Sequence, residues 1–282
     1  MKRLLLFIFL FSSFIVFSQQ DNSAKSEFDF VMYLIGNSMK EEAVVLMQNN
    51  SEDNDSINFL RGFTYYSSKM LDLAADNFSK VSQSSELFTE SRFFSSLSNA
   101  HLFHLDKAES DLNMISSQDG EINNLKNFSL AGINLLKRNY NLFDTYINSV
   151  DTNNYPLNVE TARLLQLKTE LLSYKKKSLF VAGALSTLVP GLGKVYAGNI
   201  GEGISSFLIC GSLMGVTAEN WYKKGLTNWK TILFGTISAV FYIGNIYGSV
   251  VTVKVNCENF NSRTDVQILY NIHIPLRSSF RR

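Results

Sequence analysis

The sequence predicts an all-α protein in two parts, a stack of helical hairpins and then a small transmembrane helical module, with one short β-strand near the C terminus. Three observations predict this. A pattern of small and large apolar residues recurs at intervals of about 34 residues between positions 26 and 174. Three apolar runs without charge follow between 178 and 253. Prolines number only three in 282 residues, which suits long helices, because an interior proline removes a backbone hydrogen bond and clashes with the preceding turn.

The first segment is a secretory signal. Lys2-Arg3 supplies a positive start, Leu4 to Phe17 is almost wholly apolar, and Val16-Phe17-Ser18 places cleavage before Gln19. The alternative is an uncleaved anchor, but the run is shorter than the roughly 20 residues that span a bilayer. Residues 1–18 are therefore left outside the fold.

The repeat pattern is carried by named residues. Gly62 is followed by Tyr65, Ala74, Phe78 and Val81. The second half recurs as Ala108, Leu112 and Ile115, and again from Ala131 as Phe143, Ile147 and Val150, while Ala43 and Met47 mark an earlier partial unit. A small residue lets the two helices of a unit cross closely, and large residues fill the groove between them. One such unit cannot bury its own apolar face, so units stack. Helices are expected over 27–48, 54–68, 71–82, 86–103, 106–116, 121–137, 140–149 and 157–176. The turns between them are rich in Asn, Ser, Asp and Gly. The pattern resembles degenerate tetratricopeptide repeats, which lack here the usual interhelix proline. That resemblance implies an α-solenoid over 26–174 that binds partner proteins.

Charge divides the chain. Between Gln19 and Tyr174 there are 21 acidic and 12 basic residues; from Lys175 onward there are 4 acidic and 12 basic ones. The front part reads as a solvated acidic domain, unsuited to nucleic acid. The rear part reads as a body close to anionic lipid.

The membrane module begins after Lys175-Lys176-Lys177. Its apolar runs are about 178–193, 203–218 and 231–253. The last is long enough to cross a bilayer. The first two pair as a tight or re-entrant hairpin, the rival reading being a buried soluble hairpin. Gly211 with Gly215, and Gly244 with Gly248, form small-xxx-small pairs that allow close helix packing in lipid. Asn245 is expected to face a neighbouring helix and hydrogen-bond there. Trp221, Tyr222 and Trp229 suit an interfacial aromatic belt.

Pro190-Gly191-Leu192-Gly193-Lys194-Val195-Tyr196-Ala197-Gly198-Asn199, with Gly203 and Phe207, resembles the turn of the TM2 family of paired transmembrane helices. It is also similar to bacterial membrane proteins with a PGLGxxY motif behind a repeat domain. The resemblance covers about 184 to 247. It implies a sharp glycine bend with Lys194 and Tyr196 at headgroup level. The third apolar run departs from a two-helix pattern.

The tail, 254–282, alternates Val266, Ile268, Tyr270, Ile272 and Ile274, which predicts a strand over 264–275. An odd number of crossings would leave it in the cytoplasm. His101 and His104 are expected on one helix face as packing residues, with no metal and no cofactor expected. Cys210 and Cys257 read as small hydrophobes rather than a disulfide. No phosphate loop, GxSxG or HExxH motif occurs in the sequence, so no catalytic residues are expected. The expectation is a non-enzymatic scaffold in the bacterial inner membrane, its repeats exported and bound to envelope proteins. The alternative is a component of a transport or channel assembly.

Overall fold

Helix-forming segments broken by short polar turns build nearly the whole chain. The computed structural model describes residues 27–152 and 157–280, and no strand occurs among them. The chain divides into two units. One comprises residues up to Lys168 together with residues from Gln267 onward; the other is Thr169–Val266. The signal-peptide reading falls outside the described residues.

The first unit opens with α1 (27–36) and α2 (Lys40–Asn49). It continues with α3 (Asp55–Ser67), α4 (Leu71–Ser79), α5 (Phe88–His101), α6 (Leu105–Asn113), α7 (Gly120–Leu136), α8 (Tyr140–Ile147) and α9 (Leu157–Ser173). Asn54, Asp119 and Asn139 accept backbone N–H bonds with their side chains at the starts of α3, α7 and α8, satisfying groups that a helix leaves open.

The turns show that the pattern repeats in three dimensions. Ser38, Lys69, Phe103 and Arg138 all take positive φ between 58° and 64°. At each, the residue after it donates its N–H five residues back: Met39 to Leu34, Met70 to Tyr65, His104 to Asn99 and Asn139 to Asn134, all at 2.9 Å. A left-handed residue ends the first helix of each pair by satisfying its last carbonyls. The first of these turns corrects the expected single helix over 27–48, which is two helices broken at Asn37-Ser38-Met39.

Packing follows the expected residues. Ala43, Ala74 and Ala108, four residues into the second helix of successive pairs, are fully buried, and Phe143 takes the same place in α8. Gly62 lies under the Phe78 ring so closely that a Cβ would sit 2.8 Å from it. Phe59, Phe78, Phe93 and Phe94 are buried, with T-shaped contacts such as Phe63 to Phe94 at 5.4 Å, a geometry that ring quadrupoles favour. Phe103 is 55% exposed in its left-handed turn.

The second unit contains α10 (Leu179–Leu188), α11 (Leu192–Ala197), α12 (Ile200–Lys224) and the first three-quarters of α13 (Trp229–Ser279). Helix α13 is continuous over 51 residues, and its last part belongs to the first unit. The expected strand over 264–275 is therefore helix. Ile268, Leu269, Ile272 and Leu276 are buried, whereas Val266 and Tyr270 are 63% and 64% exposed. The burial has a period near 3.6, not 2. A helix already running from Trp229 extends without a new nucleation cost, and that outweighs a local alternation.

Candidate functional site

Two places concentrate unusual local chemistry: the glycine-rich turn of the second unit and the face of the repeats that receives the C-terminal helix.

In the second unit, Pro190-Gly191-Leu192-Gly193 folds α10 sharply into the six-residue α11. Gly191 has φ +85°, and a Cβ there would lie 2.0 Å from Gly203 O. Gly193 has equally little room, with Ala182 O 2.0 Å and Ser186 Oγ 2.4 Å from a Cβ. On Gly203 a Cβ would meet Val195 Cγ2 at 2.5 Å. Gly198, at φ +105°, closes α11 and leads through Asn199 into α12. Only glycine fits backbone approaches of this kind, so Gly191, Gly193, Gly198 and Gly203 are architectural.

The broken backbone is satisfied from neighbouring elements. Gly193 N donates to Ser186 Oγ at 3.0 Å, Ser186 Oγ donates to Ser249 Oγ at 2.7 Å, and Ser249 Oγ donates to Asn245 O at 2.9 Å. Tyr242 OH donates to Thr187 O at 2.5 Å. Asn256 Nδ2 reaches Ala197 O and Asn199 Oδ1, each at 3.1 Å. Tyr196 OH accepts from Ser178 N at 3.1 Å, and Lys177 Nζ donates to Tyr196 O. Irregular backbone in an apolar setting requires such partners. Ala182, Ala197 and Val253 form the small apolar core beneath, with Tyr196 against it.

Lys194 is 19% exposed at its side chain. Its ammonium lies 3.9 Å from Glu202 Oε2, and its end lies over Gly248, where a Cβ would stand 3.5 Å from Cε. Asn245 is 6% exposed, as expected of a residue facing its neighbours. Among the described residues neither amide atom of Asn245 has a hydrogen-bond partner. Among the described residues nothing lies within 4 Å of a Cβ at Gly211, Gly215 or Gly244. The helix α12 and an apolar stretch of α13 have mean hydropathy 1.4, and only 11% and 28% of their apolar windows are buried. Both are long and apolar enough to cross a membrane, whereas α10 has ten residues.

In the first unit, the C-terminal part of α13 packs on α3, α5 and α7, the first helices of successive pairs, and on α9. Ile272 lies against Gly132, where a Cβ would sit 2.5 Å from its Cγ1 and Cδ1. Phe280 packs on Phe93 and Phe94 at 5.6 and 6.5 Å. His273 stacks on Tyr66 at 6.0 Å, and its Nδ1 hydrogen-bonds the Tyr66 hydroxyl at 2.6 Å. Arg163 Nη2 reaches Gln267 Oε1 at 3.5 Å. Burial pushes the His273 imidazole below its ordinary pKa, and nearby Arg277 pushes the same way. Burial also lowers His101, helped by His273, and raises the Tyr66 phenol well above its usual range. His104 is the N-cap of α6 rather than a helical partner of His101, which corrects the shared-face reading. Among the described residues no cluster of His, Cys, Asp and Glu could hold a metal.

A groove of about 760 Å³ lies over α4, α5 and α6. At its floor Arg92 caps the end of α4 through Phe78 O and Ser79 O, at 2.9 and 2.8 Å. Arg92 also pairs with Asp111 at 3.4 Å. Ser95 and Asn99 complete the Asp111 carboxylate at 2.7 and 3.0 Å. These buried charges are used in holding helices together. Sequence reading missed Arg92, Asp111, Ser186, Ser249 and Asn256. The seven-residue step from Ser249 to Asn256, two turns on one face of α13, was the available signal.

No protein-family model, curated protein or solved structure matches this chain.

Proposed function

We propose that this chain is a membrane-anchored helical-repeat scaffold of the cell envelope, binding a partner protein through its exported repeats. One observation carries the reading: two long apolar helices whose side chains stay largely uncovered occur beside a separate unit of repeating helical hairpins. Uncovered aliphatic surface of that extent is stable in lipid and not in water. We read the hairpins as a degenerate tetratricopeptide-like solenoid. The glycine turn, with α12 and α13 as the two long helices, fits the TM2-like resemblance. Placement in the inner membrane with exported repeats rests on the signal-type N terminus.

The partner surface we favour is the groove over α4 to α6, with Asp72, Asp76 and Lys107 at its rim, because the first helices of the repeats already hold the C-terminal helix. Crosslinking in intact cells followed by mass spectrometry tests this. The expected result is a partner recovered with the wild-type chain and lost on Asp72→Lys with Asp76→Lys. A partner set identical for both, or none, would refute it.

Transport, the second reading, rests on the buried amide of Asn245, which has no protein partner. Liposome flux that disappears on Asn245→Leu would support it, and no wild-type flux would remove it.

A further inference from the structure

The last turns of α13 are core of the repeat unit. Ile268, Leu269, Ile272 and Leu276 are 0 to 4% exposed, and Phe280 and His273 engage α5 and α3. Chain entering the second unit leaves from α9, and chain returning from it inserts into the stack that contains α9. A polypeptide whose two ends fold into one body on one side of a bilayer must cross that bilayer an even number of times.

Helix lengths give the number independently. At 1.5 Å per residue, the 25 residues of α12 reach about 37 Å, and the stretch of α13 from Trp229 to Val253 reaches about the same. Each covers a hydrocarbon core of about 30 Å. Helix α10, with ten residues, reaches about 15 Å and cannot. The polar ends agree. Trp221, Tyr222 and Trp229 are 55%, 93% and 65% exposed beside the turn at 225–228, forming an aromatic belt at one interface. At the opposite ends of the same helices stand Glu202, and Lys254 with Glu258.

We infer that the anchor is a two-pass hairpin whose ends, the repeats and the C-terminal helix, lie on the same face of the membrane. Helix α12 crosses away from the repeats, the turn at 225–228 lies on the far face, and α13 returns. The Pro190–Asn199 segment and α10 enter from the near face and turn back without crossing, Ser186 and Thr187 meeting Ser249 and Tyr242 of α13. This replaces the expected cytoplasmic tail opposite exported repeats. It rests on the membrane-anchor reading proposed above.

The test uses the full chain in sealed cells and in detergent-opened cells. Single cysteines, Ser51→Cys, Thr227→Cys and Ser279→Cys, are made with Cys210 and Cys257 replaced by serine, and are treated with a membrane-impermeant maleimide. All three positions are exposed. The expected result is that Ser51→Cys and Ser279→Cys are labelled from the same side and Thr227→Cys only from the other. Labelling of Ser279→Cys opposite to Ser51→Cys, or of Thr227→Cys together with Ser51→Cys, overturns the inference. Protease protection of the otherwise wild-type chain with a C-terminal epitope is the second measurement, free of any effect of the cysteine replacements. The epitope and the repeats should be digested together or protected together, and opposite fates overturn the inference. Recovery of the chain in the aqueous fraction after alkaline washing defeats the anchor itself, an outcome separate from any labelling pattern.

Discussion

Replacing Ile272 by alanine loosens the C-terminal helix from the repeats by a calculable amount. Ile272 is 3% exposed and packs on Gly132, with Leu164 in the same pocket. The substitution removes three carbons, about 2.4 kcal/mol at ~0.8 kcal/mol per buried methylene. A residual cavity raises the cost within the range of about 2–5 kcal/mol seen for such truncations. Gly132 offers no side chain to collapse into the space, so little relief is expected. The transfer part alone multiplies the undocked population about 50-fold at ~1.4 kcal/mol per tenfold. Hydrogen exchange on detergent-solubilised protein reads this directly as a matching gain in exchange rate for amides 267–279, with those of 229–253 unchanged. Tyr270→Ala, at a 64% exposed position on the same turns, should leave the rates within about threefold. An unchanged rate in Ile272→Ala would refute the claim that this helix is core of the repeat unit.

Docking should also respond to pH. The imidazoles of His273 and His101 are held below the ordinary value of 6.5 chiefly by burial. The undocked chain therefore binds more protons as pH falls. Docking is at full strength above about pH 6.5 and weakens below it, towards the lower docked-state values, while the Tyr66 phenol stays neutral throughout. Exchange of amides 267–279 at pH 7.5 and pH 5 checks this, and His273→Phe should flatten the slope. Gly193→Ala should destabilise the second unit, because its Cβ would meet Ala182 O at 2.0 Å. Gly211→Ala and Gly215→Ala should leave its melting temperature in detergent unchanged. In the repeats, Asp111→Ala leaves the Arg92 charge buried without its carboxylate and should cost about 3–5 kcal/mol. Asp106→Ala, at a side chain 99% exposed, should cost under ~1 kcal/mol. Thermal unfolding followed by circular dichroism ranks the two.

The sequence by itself determined the helical class, because helix formation rests on local properties. Ala43, Ala74 and Ala108 recur at unequal intervals but at the same place in successive helices, where each lets one helix approach another. Gly191 and Gly193 are present because a Cβ would strike the backbone of neighbouring helices, at Gly203 O and Ala182 O. Turn residues stand at Gly36-Asn37-Ser38, yet the expected single helix over 27–48 passed over them.

Tertiary structure alone decided what the tail does. Between 264 and 275 the residues satisfy a period of two and a period of 3.6 at once, and only the surface they meet selects between them. That surface is made by Tyr66, Phe93, Gly132 and Leu164, more than 100 positions earlier. It buries Ile268, Leu269, Ile272 and Leu276 and leaves Val266 and Tyr270 exposed. The fate of Gly211, Gly215 and Gly244 was equally non-local. A small residue permits close approach, but whether a neighbouring helix takes up that space depends on the rest of the chain, and among the described residues none does.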